Sequence, residues 1–129
     1  MQRYISEEQW AKYDDEGYLV LGKLLSDEEL AALQQRIDDI MLGTADIDYD
    51  RILMQLDSTT GKYSDAGDQS KGWKGKTLAY RKIQDLELDD LFGEYTNRPI
   101  FREICERVHG VGTPIACFRA MFMNKPSMQ

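Results

Sequence analysis

The chain has 129 residues, enough for one domain with its own core. Hydrophobic residues at 42% and charged residues at 30% are ordinary globular values, and no apolar run approaches the roughly 20 residues of a membrane span, so the chain reads as soluble. A formal net charge of −7 argues against nonspecific binding to nucleic acid or to an anionic membrane and leaves any anion site to be built locally.

The N-terminus, Met1-Gln-Arg-Tyr-Ile-Ser-Glu-Glu8, lacks the charged start and apolar core of a signal peptide, and Cys105 and Cys117 form no CxxC pair. A reducing cytoplasm is the expected compartment. Ser6 with Gln9 makes a capping box, Trp10 and Tyr13 share a face, and Gly17 closes the first predicted helix. Tyr18-Leu-Val-Leu-Gly22 has the length and composition of a buried strand. A second capping box, Ser26 with Glu29, opens a helix running to about Leu42. Its apolar positions Leu30, Leu33, Ile37, Ile40 and Met41 recur at spacings of three and four.

Arg51–Leu56 fits a strand, whereas residues 57–76 are dominated by Gly, Ser, Thr, Asp and Lys and read as a mobile loop. Loops of such length are either functional or disordered, and both a lid and plain disorder fit these residues. Leu78–Ile83 reads as a strand on which alternation pairs Lys82 with Tyr80 on one face and Arg81 with Ala79 and Ile83 on the other. A short helix is expected over Glu87–Tyr95 with Leu88, Leu91 and Phe92 inward. Another opens at Asn97-Arg98-Pro99 and ends at Gly110, with Ile100, Ile104, Cys105 and Val108 as its buried stripe. In Ala116–Pro126, period two places Phe118, Ala120 and Phe122 on one face of a strand and Cys117, Arg119, Met121 and Met123 on the other. The sequence stops three residues past this apolar strand, so residues 1–129 read as a single incomplete domain whose last strand is free for self-association.

Three segments in order, Gly17-Tyr-Leu-Val-Leu-Gly-Lys-Leu-Leu-Ser-Asp-Glu-Glu-Leu30, Tyr80-Arg-Lys-Ile-Gln-Asp-Leu86 and Met121-Phe-Met-Asn-Lys-Pro126, resemble the N-terminal part of the phytanoyl-CoA dioxygenase-like oxygenases. The resemblance covers most of residues 12–126 and implies an α+β fold: helices flanking the first strands of a double-stranded β-helix of the jelly-roll or cupin kind. It also implies an oxygenase of organic small molecules or acyl-CoAs that uses iron(II) and 2-oxoglutarate. In that family two His and one carboxylate hold the iron, leaving positions open for cosubstrate and dioxygen. The His-x-Asp pair follows the Asn-Lys-Pro strand, so the resemblance puts the iron ligands past residue 129. The chain is accordingly expected to be inactive alone, with no catalytic or metal-ligating residue of its own.

The same resemblance assigns Lys82 to the carboxylate of 2-oxoglutarate and Met121 to the lining of that pocket, while Asn124, Lys125 and Pro126 form the turn out of the strand. By residue type alone, Lys82 reads first as a solvated strand lysine and Met121 as ordinary core, and it is the motif that turns both toward the ligand. His109, one residue before a helix-ending Gly, suits hydrogen bonds to the last carbonyls and the helix dipole better than a metal. Lys71, Lys74 and Lys76 with Trp73 form a local basic patch that either is a solvated loop or meets a phosphate-bearing substrate. A noncatalytic binding module derived from the same fold is the alternative to an oxygenase.

Overall fold

A computed structural model describes residues 3–126. Helix α1 (Glu7–Glu16) and helix α2 (Asp27–Leu42) begin at Ser6 and Ser26, each of which completes the reciprocal capping box, and end at Gly17 and Gly43 in the left-handed conformation. These signals are local, which is why four residues suffice to place each helix end. Strands β1 (Leu53–Leu56), β2 (Ser70–Lys71) and β3 (Tyr80–Gln84) follow, then helices α3 (Asp90–Thr96) and α4 (Pro99–His109), and last strand β4 (Met121–Met123). The molecule is thus α+β, with a four-stranded antiparallel sheet in the order β2-β1-β3-β4.

One face of the sheet is the core. Met54 of β1 and Tyr80 and Ile83 of β3 meet Ile37, Ile40 and Met41 of α2, with Phe92 and Phe122 partly buried at the margin. A smaller cluster joins Ile5 and Trp10 to Ile100 of α4, with Leu19, Leu21 and Leu24 against it. No helix among the described residues is long and apolar enough to cross a membrane.

Several expectations need correction. Tyr18–Gly22 belongs to no strand, and Gly22 at its end takes φ 77. Leu19 and Leu21 turn toward α1 and α4 while Val20 stays 74% exposed, so the alternation is kept without a ladder. The apolar run carries half the strand signal, and the other half, a partner, is missing among the described residues. At the C-terminal end the strand is confined to Met121–Met123, and Phe118 is 88% exposed. Its partner sets that limit: β3 ends at Gln84, and Asp85, at φ 68, turns the chain into the 3-10 turn Leu86–Leu88. Beyond Met121 toward the N-terminus the ladder gives way to two contacts at Ala120, whose carbonyl accepts from the Leu86 amide and whose amide donates to Glu87 Oε2. Leu88 is exposed because the helix starts after it, at the Asp89 cap, and Val108 is exposed in the last turn of α4.

The face assignment of Lys82 is also revised. Leu56 pairs with Tyr80 and Gln55 with Lys82, so Arg81 is an extra residue in β3, a bulge. Side chains then run Tyr80 inward, Arg81 and Lys82 outward, Ile83 inward. Lys82 does not share the face of Tyr80.

Candidate anion-binding face of the sheet

The sheet face opposite the core collects polar residues. Register places Gln55 beside Lys82, Lys82 beside Met123, and Gln84 beside Met121. Lys82 and Met121 are therefore diagonal neighbours on adjacent antiparallel strands, a spacing within reach of long side chains. Gln84 Nε2 approaches Met121 Sδ at 3.8 Å.

The loop between β1 and β3 covers part of this face. Gln55 Nε2 donates to the Gly67 carbonyl at 2.9 Å, and the Gly67 amide returns a bond to the Leu56 carbonyl. The Gly67 acceptor fixes which end of the Gln55 amide is nitrogen, so Oε1 is the atom left without a partner among the described residues although Gln55 is only 3% exposed. Lys82 Nζ donates to Gln69 Oε1 at 2.9 Å, and Gln69 Nε2 donates to the Tyr63 hydroxyl at 3.2 Å. The Tyr63 ring in turn lies 4.6 Å from the Arg81 guanidinium carbon. Arg81 Nη1 is 3.6 Å from Asp57 Oδ1, which also accepts from the Ser58 amide. Asn124 ties the far end of β4 to β3 through its amide on the Arg81 carbonyl and its side chain on the Tyr80 carbonyl.

The remaining sequence candidates lie elsewhere. His109 is exposed in the last turn of α4, where its carbonyl accepts from Thr113 Oγ1. Among the described residues no three His, Cys, Asp or Glu side chains come together as a metal site. In the basic patch, Trp73 Nε1 donates to the Met41 carbonyl, and Lys74 Nζ donates to the carbonyls of Ser70 and Gly72. Burial holds the Lys74 ammonium below its ordinary pKa. Trp73 thus ties the loop to α2 and Lys74 closes the loop on itself, leaving Lys71 and Lys76 as its exposed cations. A groove of about 560 Å³ runs between α4 and residues 112–117, lined by Cys105 and Cys117 but by none of the Lys82 neighbours.

Sequence reasoning named Lys82 and Met121 as candidates and did not name Arg81, Gln55, Gln69 or Tyr63, which the structure sets around Lys82. Two successive cations inside an apolar strand were the available signal for Arg81, and only the bulge turns both to one side. No known protein family, curated protein or solved structure matches this chain.

Proposed function

We propose that this chain supplies the cosubstrate-binding side of an iron(II) and 2-oxoglutarate-dependent oxygenase of the phytanoyl-CoA dioxygenase-like kind, acting on an organic small molecule or acyl-CoA. The observation that carries this reading is the placement of Lys82 and Met121 as diagonal neighbours on the sheet face turned away from the core. Among the described residues Lys82 makes no ion pair there, its partner being the neutral Gln69 amide. A carboxylate would exchange that contact for a charge-assisted one. The antiparallel sheet with helices on its other face supports a place among the first strands of a jelly-roll or cupin-like β-helix.

Iron does not fit the residues present. The chain has one His, so it cannot complete a site of two His and one carboxylate, and we assign those ligands to residues outside it. Lys82 and Met121 bind and orient the cosubstrate and perform no bond-breaking step themselves. The cytoplasm belongs to the same reading, on the two cysteines held as free thiols.

The alternative is a noncatalytic module using the same face to bind an anion, favoured by the single His. Equilibrium dialysis with radiolabelled 2-oxoglutarate, followed by an assay for succinate with iron(II) and ascorbate, tests these readings. We expect binding no tighter than about millimolar, the scale of about 4 kcal/mol, lost in Lys82→Ala, and no succinate above the iron-only blank. Absence of binding overturns the cosubstrate role, and succinate formation overturns the assignment of iron ligands to residues outside the chain. Equal binding of glutarate, which lacks the oxo group, favours the anion-binding module.

A further inference from the structure

The bulge makes Arg81 and Lys82 neighbours on one face, and we propose that together they form a two-point site for a doubly charged oxyanion, a phosphate group or a small dicarboxylate. Gln69 and Tyr63 are the groups such an anion displaces. The inference rests on Lys82 as the anion contact of the preceding section and adds Arg81 and the cover over both cations.

In a regular strand residues 81 and 82 project to opposite faces. Here Tyr80 and Ile83 both lie in the core at 0% exposure, and the pair between them is excluded from it. Two cations side by side repel, and the usual remedy is a carboxylate for each. Lys82 has none within ion-pair distance among the described residues. Arg81 has Asp57 at 3.6 Å, beyond a good hydrogen bond, and its buried Nε finds no partner among the described residues. A buried guanidinium donor without an acceptor is costly to leave unmade, and a fixed donor beside a second cation is the arrangement that receives an oxyanion.

Apart from Asp57 beside Arg81, what covers the pair is neutral. The Gln69 carbonyl takes the Lys82 ammonium, the Tyr63 ring takes the Arg81 guanidinium, and a Gln69–Tyr63 hydrogen bond links the two. An incoming dianion replaces an amide oxygen and a ring face by two charge-assisted contacts, which are stronger than the neutral ones. Because Gln69 and Tyr63 are bonded to each other, they leave as a unit, and the loop segment carrying them moves when the site fills.

The test follows the Arg81 Nε–H and Lys82 amide signals of the 129-residue chain by ¹⁵N–¹H spectroscopy at constant ionic strength, with inorganic phosphate, succinate, acetate and 2-oxoglutarate added in turn. A dianion should shift both signals with one midpoint well below that of acetate, and the Gln69 side-chain amide should move with them. Arg81→Gln should raise the dianion midpoint about tenfold, the worth of one charge-assisted contact, and leave that for acetate in place. Gln69→Ala, which leaves both cations intact, should lower the dianion midpoint. Response to phosphate alone assigns a phosphate group, and response to succinate alone a dicarboxylate. Equal midpoints for acetate and both dianions, or an Arg81→Gln chain that titrates as the parent does, overturns the two-point site. A 2-oxoglutarate shift at Lys82 that Arg81→Gln leaves untouched removes this inference and keeps the preceding one. Phosphate binding at both cations with no response to 2-oxoglutarate does the reverse.

Discussion

Asp89 holds two elements together with one carboxylate. Its side chain is 0% exposed, Oδ1 accepts from Arg36 Nε at 2.8 Å and Nη2 at 2.6 Å, and Oδ2 accepts from the Phe92 amide as the cap of α3. The pair raises the pKa of Arg36, chiefly through that hydrogen bond. Asp89→Ala removes the cap and strands a partly buried guanidinium, so urea unfolding should show a loss of about 3–5 kcal/mol. Asp89→Asn, which keeps the cap, should lose less, and equal losses would mean that the cap contributes nothing. Tyr80 makes a pH-dependent contribution. Its hydroxyl donates to the Gly75 carbonyl and accepts from the Lys74 amide, and burial raises its pKa. A group whose folded pKa is raised contributes fully below its unfolded value, near 10 for tyrosine, and loses that contribution as pH rises through the folded value. Circular dichroism against pH should therefore show alkaline unfolding starting above about pH 10. A Tyr80→Phe chain with an unchanged alkaline limb would exclude this group as the cause. Lys82 was legible in the sequence as a motif residue. Its neighbourhood was not, because Gln69 and Tyr63 reach it through a loop whose composition names no partner.

Helix ends were the most legible elements, since capping boxes and left-handed glycines act within one turn. Gly43 does more than cap α2. A Cβ there, at φ 80, would sit 2.6 Å from Trp73 Cζ2, the ring whose Nε1 holds the Met41 carbonyl. Gly17, at φ 83, has nothing within 4 Å of the same hypothetical atom. Gly17→Ala should cost only about the 1–2 kcal/mol of a left-handed alanine, whereas Gly43→Ala adds a clash and displaces Trp73. Thermal melts of the two variants, with Trp fluorescence as a second probe, separate these contributions, and equal losses would remove Trp73 from the account. Strands were less legible for a physical reason: a helix satisfies its own backbone and a strand does not. Tyr18–Gly22 and residues 116–120 carry the alternation of strands yet find no ladder, and the Arg81 bulge is a property of two strands that neither segment encodes alone.

Across the whole molecule the apolar surface is uneven. β4 is an edge strand in the order β2-β1-β3-β4, and Val111, Ile115, Phe118, Met121 and Met123 are all exposed in or just before it. Edge strands with apolar neighbours pair with other chains, so the purified chain should self-associate with rising concentration and bind a hydrophobic dye. Light scattering that gives a monodisperse monomer at every concentration, with no dye bound, would contradict this. The opposite end of the sheet faces solvent through the short strand β2 and the loop over Lys82. The central claim is that this loop-covered face, and not the 560 Å³ groove along α4, receives 2-oxoglutarate. The most direct measurement is a backbone amide map of the 129-residue chain titrated with 2-oxoglutarate, beside the same titration of Lys82→Ala. We expect shifts gathered at Gln55, Gln69, Lys82, Gln84 and Met121 in the parent and their loss in the variant. Shifts along α4 and residues 112–117, or a Lys82→Ala map identical to the parent's, would contradict the account.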